Sequence, residues 1–191
     1  MRYRGFSGDR LTPIWVIMII NLLVFIGTLA YRKLIYIFGL QPAIFFSQPW
    51  TIITSMFTHA SLWHILVNML ALYFYGSFLN RLVGTGKFLI VYLFGGILGN
   101  IFFLLLAPQF VVGIGASGAI FALGGALAVL TPNLRVYIFP LPIAMPLWIA
   151  VIGGFIILSF VPGIAWQAHL GGLVFGLIAG YFFRKRSRIL Y

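Results

Sequence analysis

The sequence predicts an all-α integral membrane protein, a six-transmembrane-helix bundle whose fourth helix is short and starts inside the membrane. Three observations carry that expectation. Of 191 residues 63% are hydrophobic and 7% are charged, which supplies about 120 apolar residues, enough for six segments of ~20 but too little charge to cover a water-facing surface. Apolar runs recur along the chain between short basic clusters. One run, before residue 130, is too short to cross a bilayer.

The elements follow in order. Residues 1–12 form a polar, basic head. Pro13 opens an apolar run to Ala30, with Thr12 as N-cap and Pro13 at the first helical position. No small-residue cleavage site follows it, so the expectation is a retained helix rather than a signal peptide. From Tyr31 to Phe57, Arg32, Lys33, Pro42, Pro49 and Trp50 are mixed with Ile and Phe. This stretch is too broken to span and too apolar for water, and fits a loop lying partly in the headgroup layer. Further spans are expected over Thr58–Leu79, Phe88–Leu106, Gly115–Leu130, Ala144–Phe160 and Trp166–Phe183. The basic residues of 184–191 close the chain as a stop-transfer tail. Residues 13–183 thus read as a single membrane domain between two basic ends.

Six spans place both ends on one side. Arg2, Arg4, Arg10, Arg81, Lys87, Arg135 and the tail fall there, and only Arg32 and Lys33 fall opposite. By the positive-inside rule both termini are cytoplasmic, in the cell membrane. The formal net charge of +11 is therefore a topology signal; basic residues spread between apolar runs do not make a nucleic-acid surface.

The charge inventory excludes whole chemistries. Asp9 is the only acidic residue and cysteine is absent. Two-aspartate proteolysis, His–Glu zinc hydrolysis, carboxylate proton pumping, thiol nucleophiles and disulfides all fall away. A His59–His64–His169 metal site lacks any carboxylate or thiolate partner, and no cofactor is expected.

The fourth run, at ~1.5 Å per residue, is about 24 Å long, short of a ~30 Å hydrocarbon core. Thr131-Pro132 ends it, so its beginning lies below the outer surface, preceded by an apolar stretch interrupted by Pro108 and Gly113. Irregular backbone at membrane depth persists only where protein or a watery cavity satisfies it.

Ser117 stands there, in Gly115-Ala116-Ser117-Gly118. It reads either as a small packing residue or as a nucleophile at a helix N-terminus. His169, in Ala168-His169-Leu170-Gly171-Gly172, reads either as an interfacial residue or as a general base, which needs Ser117 within ~3 Å. Two ladders of small residues favour the pairing. Ala168, Gly172, Gly176 and Gly180 recur on the sixth run, and Gly118, Ala122 and Ala126 on the fourth. Such faces let backbones approach closely, and each ladder has one of the two residues at its outer end. His64 and Asn68, four apart, share one face of the second span, about 9 Å and about 15 Å below its start. They read as an interhelical hydrogen-bonding pair or as oxyanion donors. His59 reads as a loop anchor or cap. With no carboxylate in any span, a Ser–His dyad is what a serine chemistry would use.

Together, His64-xxx-Asn68, Gly115-Ala116-Ser117-Gly118 and Ala168-His169-xx-Gly172-xxx-Gly176 resemble the rhomboid family of intramembrane serine proteases, over roughly residues 48–180. The resemblance implies the compact six-helix form with a membrane-embedded first loop and no seventh span. It implies Ser117 as nucleophile and His169 as base, with His64, Asn68 and the Ser117 N–H as oxyanion hole. Gly115 and Gly118 would give the turn and close approach around Ser117, and Gly172 with Phe121 would support the site. It also implies partners among single-span membrane protein substrates, cut at locally unwound helices, and the lipid bilayer. Departures lie outside the dyad: Thr51 follows Trp50 where the family has Arg, Phe121 stands where some members have Tyr, and Asn80 precedes Arg81 where Glu is frequent. The fifth span, softened by Pro142, Pro146 and Gly153-Gly154, and the loop Val161–Trp166 are the expected lateral gate. The competing class is a non-catalytic rhomboid-like client-binding protein, which usually lacks the nucleophile or the base. A transporter is disfavoured because only one broken helix is present.

Overall fold

The computed structural model describes residues 12–137 and 143–187, excepting the side chains of Thr12 and of 185–187. The basic head, Pro142, most of the basic tail and the Thr12 cap lie outside the described residues or side chains. Nine α-helices are described: α1 (Thr12–Ala30), α2 (Leu34–Phe38), α3 (Thr51–Thr54), α4 (Leu62–Ala71), α5 (Ser77–Val83), α6 (Thr85–Leu106), α7 (Ser117–Leu130), α8 (Leu147–Ser159) and α9 (Trp166–Ser187). A π-helical turn, Leu72–Gly76, joins α4 to α5 into one continuous rod. Two short 3₁₀ turns, Pro42–Ser47 and Ser55–Phe57, flank α3.

Among the described residues, four helices are long and apolar enough to cross a membrane: Pro13–Ala30, Leu62–Val83, Thr85–Leu106 and Trp166–Arg184. α7 and α8 are apolar but shorter. The outward faces are apolar too. On α1, Ile14, Ile17, Asn21, Phe25 and Thr28 form a buried stripe, while Trp15, Ile19, Leu22, Leu23, Ile26 and Leu29 are exposed. A surface helix in water would invert the second set, so these side chains face lipid. Asn21 and Thr28 are buried, and each donates to its own helix, to Ile17 O and Phe25 O at 2.7 and 2.8 Å, which lowers the cost of that burial.

α7 is the axis of the bundle. Ten of its 14 residues are buried, between α6 on one side and α9 on the other. Glycine makes this possible. A Cβ on Gly172 would overlap the Gly118 carbonyl, one on Gly176 the Ala122 carbonyl, and one on Gly180 would lie 2.8 Å from Ala126 O. The two small-residue ladders thus meet rung for rung. α6 joins them from its own glycines: a Cβ on Gly95 would overlap Ala122 Cβ, and one on Gly99 would lie 2.6 Å from Ala168 O. In lipid, where apolar burial gives no drive to associate, close backbone packing supplies much of the cohesion.

Several boundaries differ from expectation. The second membrane helix begins at Leu62 rather than Thr58, because Ser61 caps it, its hydroxyl accepting the His64 N–H at 3.2 Å; Thr58 and His59 lie in the preceding loop. His64 therefore stands in the first helical turn, not 9 Å down the helix. α7 begins at Ser117, since Gly115 takes φ +121, which no α-helix contains. α8 begins at Leu147, because Ala144–Pro146 pairs antiparallel with Arg135–Tyr137, Val136 opposite Met145. Apolar Ala-Met-Pro is indistinguishable from the start of a span by hydropathy; here it forms β2 opposite β1 (Arg135–Tyr137).

Candidate active site

The segment between α6 and α7 is irregular, and protein satisfies it. Gly113 exchanges two backbone hydrogen bonds with Leu40, at 2.9 and 2.7 Å, and the Gly115 N–H donates to Ser55 O at 2.9 Å. The apolar loop between α1 and α4 therefore docks onto this segment. A Cβ on Gly115 would lie 2.7 Å from His64 Nε2 and 3.7 Å from Ser117 Oγ. Both the positive φ and the lack of room require glycine there.

Ser117 is the first residue of α7, where the early N–H groups of a helix have no partner within it. Its Oγ lies 2.7 Å from Nε2 of His169, which stands in the first turn of α9. His169 is buried, and the ring of Phe121 stacks on it with centroids 4.5 Å apart and planes 29° apart. Phe121 is one turn beyond Ser117 on the same face of α7. His169 Nδ1 is buried with no hydrogen-bond partner among the described residues. Gly172, one turn along α9 from His169, lets the Gly118 carbonyl approach, which sets the spacing between the two helices at this level.

The α4 residues complete the surroundings. The His64 ring faces Gly115 and meets the ring of buried His59 edge-on, centroids 4.9 Å apart. Asn68 Nδ2 donates to His64 O at 2.8 Å, and its Oδ1 is buried without a partner. Ser117, His169, His64, Asn68 and Phe121 all line one cavity of about 950 Å³. The described residues contain no group of three His, Cys, Asp or Glu able to hold a metal. A hydroxyl held against an imidazole nitrogen, beside helix N-terminal amides, is an arrangement that can pass a proton from serine to histidine and stabilise an oxyanion.

Two departures from family residues have visible substitutes. Trp50 Nε1 donates to Ile37 O at 2.9 Å, and Thr51, buried, donates its hydroxyl to Gln48 O at 2.6 Å. Asn80 Oδ1 accepts the Thr85 hydroxyl at 3.1 Å, tying the turn between α5 and α6 without an ion pair. Sequence reasoning missed Asn100 and Ser55, which hydrogen-bond below the site. The signal for Asn100 was one amide in the otherwise apolar second half of α6.

The Rhomboid domain matches residues 47–186. The chain is 32% identical over 154 residues to Rhomboid protein 1, mitochondrial, of Saccharomyces cerevisiae, covering 71% of this chain and 42% of that protein. It is 34% identical over 132 residues to Rhomboid protease GluP of Bacillus subtilis, covering 68% and 25% respectively. It is 41% identical over 76 residues to Putative rhomboid protease YdcA of the same organism, covering 40% and 38%. The chain thus spans less than half the length of each of these relatives. It belongs to the rhomboid family, and with several apolar helices of spanning length it is a multi-pass membrane protein.

Proposed function

We propose that this protein is an intramembrane serine endopeptidase that hydrolyses peptide bonds in or beside the transmembrane helices of single-span membrane proteins. The observation that carries the proposal is the 2.7 Å approach of Ser117 Oγ to His169 Nε2 at the wall of a cavity in a rhomboid-family chain.

The chemistry runs in two halves. Ser117 Oγ attacks the scissile carbonyl carbon while its proton passes to His169 Nε2. The oxyanion takes hydrogen bonds from the Ser117 N–H, from His64 Nε2–H and from the second N–H of the Asn68 amide, the first being held by His64 O. His169 then returns the proton to the leaving amine, and a water activated by the same nitrogen cleaves the acyl-enzyme. Among the described residues no carboxylate orients His169; the Phe121 ring does so by stacking.

Residues 13–183 act as one six-span domain, with α7 and α8 as the fourth and fifth spans and both termini cytoplasmic. The site opens towards the outer face, where water reaches the dyad. α8 supports the gate reading: its buried residues are Leu147, Ala150 and Val151, all in its first half. A Cβ on Gly153 or Gly154 would meet nothing within 4 Å. A helix held at one end can swing at the other, admitting a substrate helix between α4 and α8.

The test is cleavage of a single-span substrate carrying small, helix-breaking residues, in liposomes. Wild-type protein cleaves it, and Ser117→Ala does not. Equal cleavage by both would refute the proposal.

A further inference from the structure

We propose that Asn100 is a positioning residue for this reaction, holding the loop that sets Ser117 against His64; the inference rests on the serine-protease reading above. Between Phe88 and Leu106 the only polar residues are Tyr92 and Asn100. A side-chain amide at membrane depth is costly unless its N–H groups are used. Asn100 uses both: Nδ2 donates to Ile52 O at 2.7 Å and to Ser55 Oγ at 2.9 Å.

What those bonds hold is the stretch Thr51–Phe57, which has no long helix of its own to fix it. Ser55, 1% exposed, is its hinge. Its carbonyl accepts two N–H groups, from Thr58 at 3.2 Å and from Gly115 at 2.9 Å. Gly115 is the point where the chain threads between the His64 ring and the Ser117 hydroxyl. A shift of a few tenths of an ångström there moves two reacting groups relative to each other, and misplacement on that scale costs rate rather than fold. The rest of the segment has a separate anchor, the Leu40–Gly113 pair. Removal of the amide therefore loosens Gly115 locally and leaves α6, α7 and α9 packed.

The chain Asn100–Ser55–Gly115 separates positioning from mere support, because the two leave different kinetic marks. The full-length protein in detergent is treated with a fluorophosphonate; Ser117 Oγ attacks phosphorus, fluoride leaves, and the proton goes to His169. Asn100→Leu, matched in size and without donors, is expected to label Ser117 to the wild-type extent but about tenfold more slowly, and Ser55→Ala about threefold more slowly. Against the single-span substrate, kcat falls by the same factors and KM is unchanged. Unchanged rates in both variants, or a loss confined to the fraction labelled, overturn the inference. If Asn100→Leu does not fold, Ser55→Ala decides alone. Wild-type protein that fails to label at Ser117 refutes the protease reading itself, which is a different result from wild-type labelling matched by the variants.

Discussion

Phe121 shows how much a single side chain does at this site. Its ring covers one face of the His169 imidazole, and Nδ1 of that imidazole has no partner among the described residues. Stacking is thus what keeps Nε2 aimed at Ser117. Phe121→Ala is expected to lower kcat by about tenfold through a misaligned base, whereas Phe121→Tyr keeps the ring and is expected to stay within about twofold; kcat and KM on a single-span substrate check both. His169→Ala removes the proposed base and is expected to abolish turnover while leaving thermal unfolding close to wild type, since its buried ring is replaced beside a bundle held by glycine contacts. The residues themselves were legible in the sequence, because Ser117, His169, His64 and Asn68 are polar groups in apolar runs. Asn100 carried the same mark, but its partners lie 45 and 48 residues away in an irregular loop, and no periodicity encodes such a pairing. The burial of His59 was hidden likewise: the residue sits before the helix that hydropathy assigned it to.

At the scale of elements, the packing of α6, α7 and α9 is glycine packing, and it was readable in advance on α7 and α9. Residues 172, 176 and 180 recur every helical turn, as do 118, 122 and 126, and the structure apposes the two rows. The contribution of α6 was less legible. Gly95 and Gly99 make a single four-residue step, too short to stand out as a ladder, yet Gly95 lies against Ala122, Gly99 against Ala168 and Gly96 against Met56. Gly176→Val forces its side chain into the Ala122 backbone, so α7 and α9 must separate; a loss of about 2–3 kcal/mol is expected from overpacking, read as a lowered Tm in detergent. Gly153→Val on α8 meets open space and is expected to leave Tm nearly unchanged. The contrast between the two glycines separates packing from helix propensity, which would favour Val over Gly at both positions. The strand pair before α8 was not legible, because three apolar residues carry no period that distinguishes a strand from the first turn of a span.

For the whole molecule, topology and access decide function. The basic residues divide unequally between the two sides of the proposed six-span path. Absence of cysteine makes the arrangement testable, since any introduced thiol is unique. Lys33→Cys, at an exposed residue just after α1, is expected to react with a membrane-impermeant maleimide added outside intact cells. Arg81→Cys is expected to react only after the membrane is opened. The reverse pattern would invert the protein and place the cavity on the cytoplasmic side. In the proposed gate, access for a substrate helix depends on α8, whose second half is not buried. A cross-link tying α8 at Gly154 to α4 at Val67 is expected to abolish cleavage of a membrane substrate while sparing hydrolysis of a small soluble ester. Undiminished cleavage with the cross-link closed would remove the gate.

The most direct test of the whole proposal is active-site labelling. Purified, folded protein is treated with a fluorescent fluorophosphonate and the modified peptide is identified by mass spectrometry. A Ser–His dyad predicts one adduct, on Ser117, absent from heat-denatured protein and from His169→Ala. Labelling of Ser117 that persists without His169, or no labelling of folded protein that nevertheless cleaves a membrane substrate, would contradict it.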